Sequence, residues 1–393
     1  MKLSTNYKLI VVCVIGIPIA VYAFLPTVFE KEYQRKDDTA DKTQQIDPVA
    51  EIPEEQIIPI EIPVTHITPP EQVKAIYMSS WVAGTTDFKK KLVDLADRTE
   101  INSIVVDIKD YTGKIAFTIP NTELETVGSM ENRIPDIKKL TKELHDKNIY
   151  IIGRIAVFQD PYFVKLHPEF AVKQKDQKTI WKDRKGITWM DTGTQEVWDY
   201  TIAIAKASYG VGFDEINFDY VRFPTDGNMK DIYFPHSEGK VKADVLESFF
   251  SYLHDNLSGT GITTSVDLFG MVTTNTDDLG IGQVLDKTLP YFDYIAPMVY
   301  PSHFPPGWNG YAKPATRPYE VIKYAMEKAV ARTIALGFDT NKLRPWLQDF
   351  NYGATYTAEM VRAQIKATND VGLDSWMLWD PGNTYTESAL LVE

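Results

Sequence analysis

The chain has 393 residues, of which 44% are hydrophobic and 24% are charged, as in globular proteins that bury a large core. Its formal net charge of -13 argues against nucleic acid or an anionic membrane surface as the main partner. One cysteine, Cys13, and six scattered histidines without an HxH or HExxH pair argue against a disulfide framework and a histidine or thiolate metal site.

The first 29 residues contain an apolar segment, 9–29, that carries no charge and follows Lys2 and Lys8. About 20 apolar residues suffice to cross a bilayer, and the positive flank places the N-terminus inside. Two interpretations stay open: an uncleaved single-pass anchor, which the length favours, or a signal peptide cleaved after residues 21–23 (VYA). Either way we expect the rest of the chain outside the cytoplasm, with the membrane contacted only through this segment.

Residues 30–70 are predicted to form a disordered linker. The segment is rich in charge and then in proline, glutamate and isoleucine (EIPEEQIIPIEIP). Such a composition favours extended, semi-rigid chain over a packed core. Residues 71–393 are therefore expected to be the folded domain.

Eight short apolar or β-branched runs in this domain alternate with amphipathic helical patterns, which predicts a (β/α)8 TIM barrel. An open doubly wound sheet is the alternative, disfavoured because no glycine-rich dinucleotide fingerprint follows the first run. The predicted strands are Lys74–Ser79, Ser103–Asp110, Tyr150–Phe158, Glu215–Val221, Ile262–Phe269, Tyr294–Tyr300, Leu343–Phe350 and Ser375–Asp380.

The longest connection, residues 159–190, lies between the third and fourth predicted strands and contains Trp181 and Trp189. Long functional loops of a barrel belong at its C-terminal face. Its tryptophans either form platforms for sugar rings or pack the loop onto the barrel, and both interpretations stay open.

The fourth predicted strand, within GFDEINFDYVRFP, has two faces of opposite character. Glu215, Asn217 and Asp219 share one face because side chains alternate along a strand. Glu215 and Asn217 lie deep, where we expect a structural polar layer, for example an ion pair of Arg154 with Glu215. Asp219 lies at the strand end, where parallel α/β folds place their chemistry.

Asp267, near the end of the fifth predicted strand, would lie beside Asp219, and the two are the predicted catalytic residues. Paired carboxylates at the mouth of a pocket suit glycoside hydrolysis, with one as acid and the other as nucleophile or base. Asp349 and Asp110 are reserve acids, and Asp380 is expected to cap a turn. Residues expected to bind substrate around the pair are Arg154, Arg222, Tyr300, Gln348, Trp379 and Asp107.

Six stretches carry a family resemblance: RIAVFQDP, WKDRKGITWMDTGTQEVWDY, GFDEINFDYVRFPTDG, APMVYPSHF, RPWLQDF and DSWMLWDPGN. Together they resemble the glycoside-hydrolase-like domain of bacterial exported proteins, a family assigned a TIM-barrel fold. The resemblance covers residues 73–393, and it implies a barrel that handles glycans.

A more distant likeness is to chitinase-type barrels. Residues Asp214–Asp219 resemble their DGxDxDxE motif, residues 298–300 (MVY) their MxYD motif, and Trp379 their tryptophan on strand eight. The chain departs from them at Val221, where the catalytic acid would stand, and at Pro301. Valine cannot donate a proton, so the acid is expected elsewhere, at Asp267.

We therefore expect a glycosidase that acts on an extracellular or cell-envelope polysaccharide without a cofactor or metal. The alternative is a catalytically inactive, hydrolase-like barrel that binds cell-wall glycan. The acidic balance of the chain favours a neutral or amino-bearing glycan, because a negative groove repels anionic sugars.

Overall fold

The computed structural model describes residues 63–120, 122 and 124–392. The predicted anchor or signal peptide and most of the predicted linker lie outside the described residues. The linker's last residues contact the barrel: the Ile67 N–H donates to Asp214 Oδ1 at 2.9 Å, and His66 stacks on Tyr209 with 3.8 Å between ring centroids. Within the part of the chain described, no helix has the length and apolar character needed to span a membrane.

Eight parallel strands close into a barrel in sequence order, since β1 pairs with both β2 and β8. The predicted barrel is thus confirmed and the open sheet is excluded. The strands are β1 Lys74–Met78, β2 Ser103–Lys109, β3 Tyr150–Ala156, β4 Glu215–Asp219, β5 Thr263–Phe269, β6 Tyr294–Met298, β7 Trp346–Gln348 and β8 Trp376–Trp379. Strand β7 is shorter than predicted, and Pro345, which has no N–H for the ladder, directly precedes it.

Helices surround the barrel and bury one face each; Asp87–Asp97, for example, buries Leu92, Leu95 and Ala96. The α-helices are Ser80–Ala83, Asp87–Asp97, Leu124–Val127, Ile137–His145, Pro161–Leu166, Gln195–Tyr209, Lys242–Leu257, Leu285–Thr288, Pro318–Ala335 and Ala358–Asp370. Short 3₁₀ turns are Pro168–Phe170, Met229–Asp231, Gly270–Thr273, Pro301–His303, Trp308–Gly310, Pro314–Thr316, Thr340–Lys342 and Glu387–Ala389.

Alternation along the strands divides the buried side chains into two sets. Apolar residues such as Ile104, Val106 and Ile216 face the helices and form the outer core. The barrel interior holds a smaller cluster that includes Ala75, Tyr77, Val105, Ile152, Ala296, Trp346 and Met377. The polar faces of β3, β4 and β5 complete this interior, so charges lie inside the barrel.

The two tryptophans of the long β3–β4 connection are buried, with 1% exposure for Trp181 and none for Trp189. The indole N–H of Trp181 donates to the Asn228 carbonyl at 3.1 Å, and that of Trp189 to Asp183 Oδ2 at 3.1 Å. They therefore pack the connection onto the barrel and do not form open sugar platforms.

Candidate active site

The lower polar layer of the barrel is an ion pair of Glu215 with Arg344. Arg344 Nη1 donates to Glu215 Oε2 at 2.8 Å, and the Tyr150 hydroxyl donates to the same oxygen at 3.1 Å. The deep polar layer predicted for Glu215 is present, but its predicted partner Arg154 is wrong. Strand register explains this, because Ile152 lies beside Glu215 whereas Arg154 lies beside Asn217, one layer higher.

The upper layer is organised around Arg154, which reaches carboxylates from three other strands. Its Nη1 donates to Asp107 Oδ1 at 2.7 Å, and its Nη2 and Nε donate to Asp219 Oδ2 at 2.5 and 3.0 Å. Its Nε also lies 3.9 Å from Asp267 Oδ2. One guanidinium therefore serves three acidic groups, which leaves a surplus of negative charge in a nearly dry interior.

That surplus falls most heavily on Asp267, which is only 2% exposed. Burial and the neighbouring charge of Asp219 raise the pKa of Asp267 well above its usual range, and Arg154 offsets this only in part. Burial also raises the pKa of Asp107, again against the effect of Arg154. The arrangement thus favours the protonated form of Asp267 over that of an ordinary exposed aspartate.

Hydrogen bonds indicate which oxygen of Asp267 carries that proton. Its Oδ1 accepts from Asn217 Nδ2 at 3.0 Å and from Trp346 Nε1 at 2.8 Å, which leaves Oδ2 for the proton. Asp219 differs, because Arg154 donates to its Oδ2 and the Tyr220 N–H donates to its Oδ1 at 2.5 Å. Donors on both oxygens suit an ionised carboxylate.

The two carboxyl groups are close enough to act on one bond. Arg154 Nε lies 3.0 Å from Asp219 Oδ2 and 3.9 Å from Asp267 Oδ2, so these oxygens are no more than 6.9 Å apart. This upper limit includes the separation of about 5–5.5 Å found in retaining glycosidases and excludes most of the 6.5–9.5 Å range of inverting ones.

Aromatic residues enclose the upper layer. Trp379 stacks on Tyr77 with ring centroids 4.0 Å apart, and the Arg154 guanidinium lies 5.1 Å from the Trp379 ring. The Tyr77 hydroxyl donates to Asp107 Oδ2 at 2.5 Å. Burial, then the charges of Asp267 and Asp219, raise the pKa of Tyr300 well above its usual range.

A turn at the end of β4 redirects the residues that follow Asp219. Tyr220 has a φ of 54°, in the left-handed region that is unusual for a bulky residue. Val221 consequently packs in the outer core with no exposure. Arg222 instead lies between Trp189 and Phe269, with its guanidinium carbon 4.7 and 5.0 Å from the two ring centroids.

Gln348 is fully buried, and its amide is occupied by loop backbone. Its Oε1 accepts from the Ser302 N–H at 3.2 Å, and its Nε2 donates to the carbonyl oxygen of Phe350 at 2.9 Å. In this arrangement Gln348 braces two loops of the C-terminal face.

The reserve acids are bound to other groups. Asp349 accepts hydrogen bonds from the N–H and hydroxyl of Thr386, and Asp110 pairs with Arg133 at 2.6 Å. Asp380 accepts from the Thr384 N–H at 2.7 Å, as expected for a residue that caps a turn.

Every large aromatic side chain that is strongly exposed among the described residues lies at the C-terminal face. Trp81 follows β1, Tyr111 follows β2, Phe269 ends β5 and Tyr352 follows β7. Scattered exposed apolar residues are normal. The confinement of the exposed aromatic rings to the face that carries Asp219 and Asp267 nevertheless indicates a binding surface.

Three contributors were missed or undervalued from the sequence: Tyr77, Asn217 and Trp346. Their positions on the inner face follow from strand alternation, but their bonds to Asp107 and Asp267 depend on the register between strands. No group of three or more His, Cys, Asp or Glu side chains among the described residues is placed to hold a metal ion.

Comparison with known proteins gave one family and several structures. A family model described as "Putative glycosyl hydrolase domain" matches residues 75–385. A hypothetical protein from Ruminiclostridium thermocellum is 35% identical, over 52% of this chain and 98% of its own, with a TM-score of 0.45. No curated protein matches the chain.

Two further structures are similar to the chain at low identity. The PgaB (BpsB) glycoside hydrolase domain from Bordetella bronchiseptica is 13% identical, over 82% of this chain and 100% of its own, with a TM-score of 0.59. A chitinase from Chromobacterium violaceum is 14% identical, over 81% of this chain and 96% of its own, with a TM-score of 0.48. The first supports the fold alone, and the second is too distant to support the chitinase likeness.

Proposed function

Since its family model spans residues 75–385, the chain belongs to the glycosyl hydrolase domain family, and we propose that it is a glycosidase that cleaves a polysaccharide with Asp219 and Asp267. The observation that carries the proposal is the division between the two carboxyl groups, which share Arg154 but have different hydrogen-bond partners. Neighbouring carboxyls held in opposite protonation states are what glycoside hydrolysis requires.

In the proposed reaction Asp267 gives its Oδ2 proton to the glycosidic oxygen, and Asp219 attacks the anomeric carbon. The sugar–oxygen bond breaks, the leaving sugar departs as an alcohol, and a glycosyl ester forms on Asp219. Water then attacks the same carbon, Asp267 takes a proton from that water, and Asp219 is released. The upper limit of 6.9 Å between the two oxygens supports this double displacement over single-step inversion.

Four exposed aromatic side chains support a polymeric substrate. Trp81 is 54% exposed although the Arg133 guanidinium lies 4.6 Å from its ring centroid, so part of the indole stays open. Phe269 is 37% exposed and stands on the same face of β5 as Asp267, two residues further on. In an eight-stranded barrel β1 and β5 lie on opposite sides, so a glycan that contacts both rings crosses the carboxylates.

Each predicted catalytic residue has its own test. In the purified protein, Asp219→Asn and Asp267→Asn should each lower kcat by roughly 100- to 10,000-fold, measured as reducing ends released from neutral, amino-bearing and acidic polysaccharides. Asp349→Asn, a buried carboxyl held by Thr386, is the matched control and should retain activity. Full activity in both active-site variants would contradict the assignment.

The pH profile of the reaction adds a second check. Because burial and Asp219 raise the pKa of Asp267, the alkaline fall in wild-type activity should begin only as the pH reaches that raised value and the acid loses its proton. The Asp267→Asn variant should lose this alkaline limb. A wild-type alkaline limb that is unchanged in the variant would assign the acid to another residue.

A glycan-binding barrel without turnover is the second candidate, and burial favours it. Asp219 is 6% exposed and Asp267 2%, so a substrate has little access to either carboxyl in this conformation. Glycan binding that survives both substitutions, with no hydrolysis of any polysaccharide in the panel, would support this function; turnover would exclude it.

The proposal places the protein outside the cytoplasm, tethered by residues 9–29 or secreted. The support is the uncharged apolar run and its lysine flank in the sequence. Protease added to intact cells should digest the domain if it is tethered outside, whereas protection until the cells are lysed would place it inside.

A further inference from the structure

Arg222 is a buried cation whose charge is not matched by an ion pair among the described residues. Five cationic side chains are buried in the described structure, and four of them pair with carboxylates: Lys109 with Asp160 at 2.6 Å, Arg133 with Asp110 at 2.6 Å, Arg154 with Asp219 at 2.5 Å and Arg344 with Glu215 at 2.8 Å. Arg222 is 8% exposed and makes one hydrogen bond, from Nη1 to the Phe223 carbonyl oxygen at 3.1 Å. A largely buried charge without a carboxylate partner is unfavourable, and no nitrogen of Arg222 is among the buried polar atoms that lack a partner, so its N–H groups remain open to a ligand.

The guanidinium lies at the mouth of the barrel. It lies 4.7 Å from the Trp189 ring centroid and 5.0 Å from that of Phe269. Phe269 stands on the same face of β5 as Asp267, two residues nearer the mouth of the barrel, and remains 37% exposed. Arg222 is therefore fixed beside the face over which a glycan would approach Asp267.

The acidic groups around Arg222 do not neutralise it. Burial lowers the pKa of Arg222, and Asp226, Tyr220, Asp219 and Asp183 together raise it too little to compensate. Asp226 is the strongest of these charges, but among the described residues it forms no ion pair with Arg222, and its Oδ1 is buried without a hydrogen bond. Asp183 is occupied by the Trp189 indole and by loop N–H groups.

We propose that Arg222 binds an anionic substituent of the glycan, a carboxylate or a phosphate, next to the bond that is cleaved. The inference rests on the proposed function and adds that the substrate is an acidic glycan. A planar guanidinium held between two rings presents its N–H groups in the geometry that binds carboxylate and phosphate in a bidentate manner. A neutral hydroxyl would leave the buried charge uncompensated.

Matched sugar pairs test this in Asp219→Asn protein, where binding is measured apart from turnover. The probes are glucuronate against glucose, N-acetylmuramate against N-acetylglucosamine, trigalacturonate against its methyl ester, and phosphorylated glucose against glucose, with binding followed by ligand-observed NMR and calorimetry. We expect an acid of at least one pair to bind more tightly than its neutral partner. Arg222→Met should weaken that acid by about 10- to 100-fold and leave the neutral partner unchanged. The pair that responds tells carboxylate from phosphate.

Two controls separate recognition from a structural role. Arg184→Met removes an exposed positive charge from the adjoining connection and should leave binding unchanged. The Arg184 N–H donates to the backbone carbonyl oxygen of Asp226 at 2.8 Å, so the control lies near Arg222 in the fold. Thermal stability of Arg222→Met should equal or exceed that of the parent, because the variant keeps the packing between Trp189 and Phe269 and removes an unpaired charge. A marked loss of stability would overturn the proposal in favour of a structural arginine.

Failure of this proposal and failure of the glycosidase proposal give different results. Equal binding of acidic and neutral partners, unaffected by Arg222→Met, would overturn the anionic subsite even if neutral polysaccharides are hydrolysed. Arginine-dependent binding of an acid without hydrolysis of any acidic polysaccharide would support the subsite and count against the glycosidase.

Discussion

Asp267 and Asp349 are both buried aspartates at the C-terminal face whose pKa is raised by burial, yet they differ in the groups beside them. Asp267 lies beside Asp219 and Arg154, where its proton can reach a substrate. Among the described residues, the carboxyl of Asp349 bonds only to Thr386, which holds the C-terminal segment. A raised pKa therefore identifies an acid only together with what its carboxyl faces.

Asp349 gives a stability prediction at the residue scale. Its pKa is raised to about 6, mainly by burial, against about 3.9 in an unfolded chain. Between these values the folded state holds the proton more firmly, so wild-type stability should fall as the pH rises from about 4 to about 6, by roughly 2–3 kcal/mol. Urea unfolding at several pH values measures this.

The matched variant is Asp349→Asn, which cannot ionise and can still accept a hydrogen bond from Thr386. Its free energy of unfolding should lose this component of the pH dependence and exceed that of wild type near pH 7. The same slope in both proteins over this range would show that Asp349 titrates at its ordinary value.

At the scale of strands, alternation predicts the face of a residue but not its layer. It placed Arg154, Glu215, Asp219 and Asp267 on inner faces. It suggested an ion pair of Arg154 with Glu215, whereas the register sets Arg154 beside Asn217, one layer above Glu215. Register depends on how all eight strands close together, which no single segment of sequence contains.

The turn after β4 shows a second limit of pattern analysis. Strict alternation would place Val221 with Asp219 on the inner face. The left-handed Tyr220 reverses this, so that Val221 joins the outer core and Arg222 reaches the mouth. A positive φ at a tyrosine has no clear sequence signal, so the surroundings of Arg222 could not be predicted.

The exposed rings at the C-terminal ends of β1 and β5 give a prediction at the element scale. Trp81→Ala and Phe269→Ala should each weaken polysaccharide binding by about fivefold or more, because each removes an exposed ring from the binding face. Affinity electrophoresis in gels that contain soluble polysaccharide measures the loss. The control is Ile334→Ala, which shortens a side chain that is 61% exposed at the end of an outer helix. Unchanged binding in both ring variants would mean that these rings do not contact the glycan.

At the scale of the whole molecule, the net charge of -13 and the buried Arg222 favour different substrates. Net charge acts over about a Debye length and is screened by salt, whereas a buried cation acts at contact distance and is screened little. The acidic composition led to an expectation of neutral or amino-bearing glycans. The proposed subsite reverses that expectation locally, since contact chemistry selects a ligand once it has arrived.

Closure of the barrel depends on more than β8. Pairing between β1 and β8 ends at Ile76, and the C-terminal segment continues it with side chains. The Tyr385 hydroxyl accepts from the Tyr77 N–H at 2.9 Å and donates to the Tyr77 carbonyl at 2.6 Å. Asn383 Oδ1 accepts from the Ser79 N–H at 2.9 Å. Side chains thus take the place of a strand at the face that carries the site.

Tyr385→Phe should therefore destabilise the whole barrel. The change keeps the buried ring but leaves the Tyr77 N–H and carbonyl without this partner, and each unsatisfied buried group costs about 1–3 kcal/mol. Urea unfolding should show a loss of about 2 kcal/mol or more. Tyr324→Phe is the control, because the Tyr324 hydroxyl makes no hydrogen bond with described residues, and it should change stability little.

The Tyr385→Phe variant should also lose activity at urea concentrations too low to unfold it. The reason is that Tyr77 bonds to Asp107, which in turn holds Arg154. Equal stability of the two phenylalanine variants would mean that β8 closes the barrel alone.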